Sequence, residues 1–179
     1  QWKWLKLSGL YMSIFDHPVL GSDTETTGLV YPRDKAFAMS LATPNGQTEF
    51  IDFRTDAHLI PMLQRDINRS RCTYVFHNAQ FDVKMLKSAG LDMPLDRVDC
   101  TVVRACLINE HEGTLFPWGR PGSYQLEDLA QKYLGEGKEE PWEELAAIFG
   151  GKATKNAQIL NLQYAPPALV RKYQDKDAL

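Results

Sequence analysis

From Val19 onward, apolar and polar positions alternate in short runs, and these runs predict most of the elements. Val19-Leu20 leads into Gly21-Ser22-Asp23-Thr24-Glu25 and then a turn at Gly28, which reads as a first strand. Ala36 to Thr43 reads as a second strand and Gln47 to Phe53 as a third. Pro44-Asn45-Gly46 between them is a hairpin signal, so the opening strands form an antiparallel meander. Leu59, Ile60, Leu63 and Ile67 recur at helical spacing and predict a helix over 57–67. Cys72 to Phe76 is a short buried fourth strand, and a helix over 80–89 follows it and stops at Gly90.

The second half is more helical. Arg97 to Cys100 predicts a fifth strand, and 101–109 a helix. Residues 111–122 are rich in Gly and Pro and read as a loop. A helix over 124–134 ends at Gly135, and the acidic stretch 136–144 reads as a solvated face. Pro141-Trp142 opens another helix, and Pro166-Pro167 starts a last helix that runs to the chain end. A meander followed by alternating helix and strand predicts an α/β fold, with a mixed sheet of about five strands flanked by helices.

Residues 1–18 read as a leader packed on the edge of a single domain spanning 19–179. For Trp2 and Trp4, buried packing is favoured over base stacking.

Composition narrows the function. The chain has 179 residues, enough for one domain with a sizeable core. A formal charge of -3 argues against a passive nucleic-acid-binding module, which usually carries a basic face. It does not argue against a nuclease, whose carboxylates are neutralised only once cations load. Cys72, Cys100 and Cys106 show no Cys-x-x-Cys spacing and read as reduced, buried thiols of an intracellular protein, expected in the cytoplasm. No apolar run is long enough to span a bilayer, and no signal peptide is visible. Gln1 stands where an initiator Met would, which predicts a fragment or a processed chain.

Three constellations carry chemistry. In a strand, alternate side chains share a face, so Asp23 and Glu25 project together near the end of the first strand. Such a pair is tolerable around a cation, and hard oxygen donors suit Mg²⁺ or Mn²⁺. Read alone, Asp-x-Glu is equally a solvated strand end. His77-Asn78-Ala79-Gln80-Phe81-Asp82 sits where a strand gives way to a helix. There Asn78 can cap the helix, and Asp82 can point back over the sheet end. Tyr173 and Asp177 are four apart and share a helix face. The carboxylate suits a cation and the phenol a water or phosphate oxygen, although an amphipathic helix with Tyr on its buried side explains that motif alone. Jointly, Asp23, Glu25, Asp82 and Asp177 would be costly at one site without metal. They suit two divalent ions about 4 Å apart, an arrangement used for in-line displacement at phosphorus.

The order Asp-x-Glu, His-Asn-x-x-Phe-Asp, Tyr-x-x-x-Asp resembles the three exonuclease motifs of the DEDD superfamily, which has a ribonuclease H-like fold. Asp99-Cys100-Thr101 with Leu107-Ile108-Asn109-Glu110, and Tyr124 through Gly135, resemble further helices of that superfamily. Lys172, not His, stands five before Asp177, so the chain is similar to the tyrosine branch. Within that branch, 149–173 is most similar to the proofreading exonuclease domain of phage-type family A DNA polymerases.

The resemblance implies a metal-dependent 3′–5′ exonuclease that removes nucleoside 5′-monophosphates from DNA 3′ ends during replication. It implies two divalent ions, Mg²⁺ or Mn²⁺, with Asp23, Glu25 and Asp177 holding the first and Asp82 serving the second. Tyr173, helped by Glu25, would orient the attacking water. Thr24, Leu29, His77, Asn78 and Phe81 would surround the 3′-terminal nucleotide. The implied partners are a single-stranded or frayed DNA 3′ end and a polymerase domain of the same parent chain, in the host cytoplasm if the source is a phage. Because the family's last helix continues beyond the second residue after Asp177, the resemblance also predicts truncation, with a frayed end that holds Tyr173 and Asp177 poorly. Lys152, Lys155, Arg171, Lys172 and Lys176 are expected phosphate contacts or, equally, a solvated helix face. Two alternatives stay open: a ribonuclease D-like RNA 3′-end exonuclease, and an inactive binding or scaffold domain of the same fold.

Overall fold

The computed structural model describes residues 14–108, 124–135 and 140–179. Most of the expected leader, including Trp2 and Trp4, lies outside these residues, as do the loop over 111–122 and the start of the acidic stretch. Of the leader, Ile14 and Phe15 are described, and both are buried in the main core.

Five strands form one mixed sheet: β1 (Val19–Thr26), β2 (Ala36–Ala42), β3 (Thr48–Asp52), β4 (Thr73–Phe76) and β5 (Val98–Cys100), in the order β3-β2-β1-β4-β5. β1, β2 and β3 pair antiparallel, as the Asn-Gly hairpin predicts, while β4 pairs parallel with β1 and β5 parallel with β4. β1 is central and buried on both sides, and its side chains alternate strictly. Leu20, Ser22 and Thr24 are buried on one face, and Gly21, Asp23 and Glu25 point to the other.

The helices are α1 (Phe53–Asp56), α2 (Ile60–Arg69), α3 (Ala79–Ser88), α4 (Thr101–Ile108), α5 (Leu126–Leu134), α6 (Trp142–Phe149), α7 (Lys155–Gln158) and α8 (Pro167–Ala178). Leu63 and Ile67 of α2 and Met85 and Leu86 of α3 cover the Leu20 face, joining Tyr74, Phe76, Met39 and Leu41 in the main core. A second, smaller core on the other face joins Phe37 and Ala38 to Leu145, Leu162, Ala165 and Val170. That face belongs to α8, which lies across β1, β2 and β3.

Several observations refine the sequence expectations. Phe53 opens α1 instead of closing β3, because the buried Asp52 carboxylate caps it by accepting from the Arg54 N–H at 2.9 Å. Arg54 also donates to the Gln163 and Ala165 carbonyls at 2.7 and 2.9 Å, which ties α1 to the 3-10 segment Ile159–Tyr164 ahead of α8. Asn78 precedes α3 but does not cap it with its side chain. It takes a left-handed conformation, φ 67°, that Asn tolerates better than most residues. The last helix runs through Asp177 to Ala178, which is buried against β1. The three cysteines are free thiols, but only Cys72 is buried as expected; Cys100 and Cys106 are half-buried. Among the described residues no helix is long and apolar enough to cross a membrane.

Candidate active site

The site forms where the end of β1 meets α8. β1 contributes Asp23 and Glu25 from the face that α8 covers, and α8 contributes Tyr173 and Asp177 one turn apart. All four line one cleft of about 440 Å³, together with Thr24 and His77. Trp142, Pro141, Ile159 and Leu162 give it an apolar side. Among the described residues, five carboxylates line the cleft (Asp23, Glu25, Asp177, Glu127 and Glu140), against Lys155 and His77. His77 and Asp177 also border a larger apolar cavity of about 910 Å³ between α4, α5 and the end of α8.

Close helix docking depends on Gly21. A Cβ there would lie 1.9 Å from the Ala178 carbonyl oxygen, so only glycine lets the end of α8 approach β1 at this distance. Rotation of the helix is fixed by Asp175, whose carboxylate accepts from Ser40 at 2.8 Å, Thr48 at 2.9 Å and Arg171 at 3.0 Å. These contacts aim Tyr173 and Asp177 toward Asp23 and Glu25.

Tyr173 is largely buried, and burial raises its phenol's proton affinity, with Glu144 adding to the effect. Lys172 bridges to it: the amine donates to Glu144 Oε1 at 3.1 Å, lies 3.5 Å from the Tyr173 hydroxyl, and stands 5.0 Å from the ring centroid.

Asp82 is placed differently from the other carboxylates. It is 4 % exposed and does not line the cleft. It lies behind β1, where it accepts a hydrogen bond from Thr24 at 2.6 Å. Burial pushes its carboxyl up to about 6, against the opposing pull of that bond. Thr24 thus connects the buried acid to the strand of the two cleft carboxylates, and its hydroxyl is spent on Asp82.

The expected substrate residues also divide. His77 reaches the cleft, with Nδ1 2.8 Å from the Thr101 hydroxyl. Phe81 is half-buried and packs on the main core. Leu29 is 79 % exposed on the 27–35 loop, away from the cleft lining. That loop is closed by Asp34, which accepts from the Val30 N–H at 2.8 Å. Of the expected phosphate contacts, Lys155 lines the cleft, whereas Arg171 and Lys172 are engaged by Asp175 and Glu144.

The donor set consists of carboxylate oxygens, the chemistry of a hard divalent cation. Asp23, Glu25 and Asp177 bring such oxygens into the cleft, whereas Asp82, expected to serve a second ion, lies outside its lining and is bonded to Thr24. Among the described residues no three His, Cys, Asp or Glu side chains are already gathered as a coordination shell.

Sequence reasoning missed Gly21, Trp142, Gln174 and Asp175. Only Gly21 carried a signal, since a glycine inside a strand often marks a close backbone approach.

A mixed five-stranded sheet flanked by helices is the fold of the ribonuclease H-like exonucleases, and comparison with known proteins agrees on that class. A family model described as 3′-5′ exonuclease matches residues 6–165, and the chain belongs to that family. The chain is 46% identical over 171 residues to DNA polymerase DpoZ of Vibrio phage phiVC8, covering 94% of this chain and 27% of that protein. It is 40% identical over 158 residues to DNA polymerase DpoZ of Salmonella phage PMBT28, covering 87% of this chain and 24% of that protein. It thus spans about a quarter of the length of the curated relatives it matches. Among solved structures, one described as the apo form of the nuclease superposes with a TM-score of 0.64 at 19% identity, covering 92% of this chain and 68% of that one. At that identity the likeness concerns the fold. The family match ends at residue 165, before α8, which carries Tyr173 and Asp177.

Proposed function

We propose that this chain is the proofreading part of a phage-type DNA polymerase, trimming DNA from the 3′ end with two divalent ions, Mg²⁺ or Mn²⁺. The observation that carries this reading is the shared cleft of Asp23, Glu25, Tyr173 and Asp177, in a family of 3′–5′ exonucleases whose curated relatives are polymerases.

The terminal phosphodiester lies against Asp23, Glu25 and Asp177. Asp23, Glu25 and Asp177 would hold the divalent cations, which when bound would supply charge neutralisation, activation of a water and stabilisation of the departing 3′ oxygen. Tyr173, with Glu25, holds that water in line with the phosphorus. Attack forms the new P–O bond as the P–O3′ bond breaks, and a nucleoside 5′-monophosphate leaves behind a new 3′-hydroxyl. No covalent intermediate is required. Asp82 acts from behind Thr24, directly or through water. Trp142, Ile159 and Leu162 provide an apolar wall for the terminal base and sugar, with His77 beside them, whereas Asn78, Phe81 and Leu29 stand outside the cleft lining. An unpaired end enters more readily than a duplex end, because unpairing costs free energy. The polymerase domain is supplied by the remainder of the parent chain, and the setting is the host cytoplasm.

Two measurements test the reading. Calorimetry with Mn²⁺ should show saturable binding that Asp23→Ala weakens; binding no stronger than to an unrelated acidic protein would favour a scaffold. Turnover of matched DNA and RNA oligonucleotides should favour DNA; preference for RNA would transfer the site to RNA processing.

A further inference from the structure

Gln174 sits between the chemistry of Tyr173 and the anchor of Asp175, yet its side chain points to β1. It is fully buried, at 0 % exposure. Its Nε2 donates a hydrogen bond of 3.0 Å to the backbone carbonyl of Asp23, 151 residues away in sequence. This bond joins the residue next to one candidate catalytic group directly to the backbone of another. The rest of the amide is poorly matched: Oε1 is buried and has no hydrogen-bond partner among the described residues. A buried acceptor without a partner destabilises a fold relative to an apolar side chain of the same shape. A side chain serving only to fill this space would do so better as methionine.

We propose that Gln174 is a positioning residue that sets the register of Tyr173 and Asp177 against Asp23 and Glu25. The inference rests on the exonuclease reading of the cleft. Gly21 permits the approach of α8, and Asp175 fixes its rotation on β2 and β3. Neither holds Asp23 itself. Gln174 supplies that link, so the two halves of the cleft move together. Small misplacements of catalytic groups lower rates steeply.

The test is Gln174→Met, which keeps length and shape but removes donor and acceptor. kcat and KM are measured with Mg²⁺ on a 3′-unpaired DNA oligonucleotide, alongside the melting temperature. The expected result is a kcat lower by about 10- to 100-fold, KM within about twofold, and a melting temperature unchanged or raised. A purely structural Gln174 gives the reverse, with a lower melting temperature and wild-type kcat per folded molecule, and this overturns the proposal. Loss of the fold overturns it too, since the apolar isostere should be tolerated. Wild-type kcat with wild-type stability overturns this inference alone, whereas a wild type inactive on DNA and RNA overturns the exonuclease reading beneath it.

Discussion

Thr24, between the two strand carboxylates, donates its hydroxyl hydrogen to Asp82 at 2.6 Å from the opposite face of β1. The bond joins a buried acid to the strand of the cleft without placing that acid in the cleft. Burial raises the Asp82 pKa from 3.8 to about 6. Folding therefore disfavours the ionised form. The cost is absent only well below the unfolded value, at about pH 3 and lower, where the group is protonated whether folded or unfolded, and fully present above about pH 6. It amounts to as much as about 3 kcal/mol. In the presence of a chelator, stability should therefore fall as pH rises through this window. Asp82→Asn, which can still accept from Thr24, should be more stable than wild type by about 1–3 kcal/mol at pH 7.5 and about equal to it at about pH 3. Denaturant unfolding at the two pH values checks this; an equal gain at both would exclude titration of Asp82 as the cause. The same variant should lose exonuclease activity.

Gly21→Ala should push the end of α8 away from β1, since its Cβ would overlap the Ala178 carbonyl. Overpacking of this kind costs about 1–3 kcal/mol. Asp177 is the residue before Ala178, so activity should fall by more than tenfold even in the fraction that folds. Thermal melts and turnover per folded molecule measure the two effects separately, and full activity would show that close docking is unnecessary.

Asp175→Ala removes one acceptor from three donors. Ser40 is fully buried, so its hydroxyl is left without its partner. The expected loss is about 2–4 kcal/mol. Asp175→Asn, which can accept from one hydroxyl, should fall in between. Chemical denaturation ranks the three proteins; wild-type stability in the alanine variant would contradict the anchoring role.

Trp142 lines the cleft from α6 while packing partly on the second core. Trp142→Ala should raise KM for a 3′-unpaired end by about 10-fold or more, since stacking a base on an aromatic ring contributes about 1–3 kcal/mol. Trp142→Phe should retain most of the affinity. Steady-state kinetics on both variants decide it, and an unchanged KM would remove Trp142 from the substrate wall.

The meander and the Asp23–Glu25 pairing were legible because they follow from period-two alternation and one Asn-Gly turn. Tyr173 and Asp177 were legible for the same local reason, a helical spacing of four. What escaped depends on distant partners. Asp82 was read as reaching the cleft, but its nearest mate is the hydroxyl between the paired acids, on the other face. Gln174 and Asp175 occupy the unremarkable positions of the Tyr-x-x-x-Asp motif, and their partners lie in β1, β2 and β3, more than 100 residues earlier. Arg171 and Lys172 resembled a phosphate-binding face because the acids that engage them, Asp175 and Glu144, have their own tertiary placement. Segment 155–164 lacks a clear period and forms one short helix and a 3-10 turn.

The central claim is that the acids at the end of β1 and on α8 cut DNA from its 3′ end. The most direct measurement follows a 3′-unpaired DNA oligonucleotide, labelled at its 5′ end, with Mg²⁺ or Mn²⁺, for wild type and for Asp23→Ala/Glu25→Ala. The account predicts a ladder that shortens one nucleotide at a time from the 3′ end, abolished by the double substitution and by a chelator. A ladder that persists undiminished in the folded double variant would contradict it.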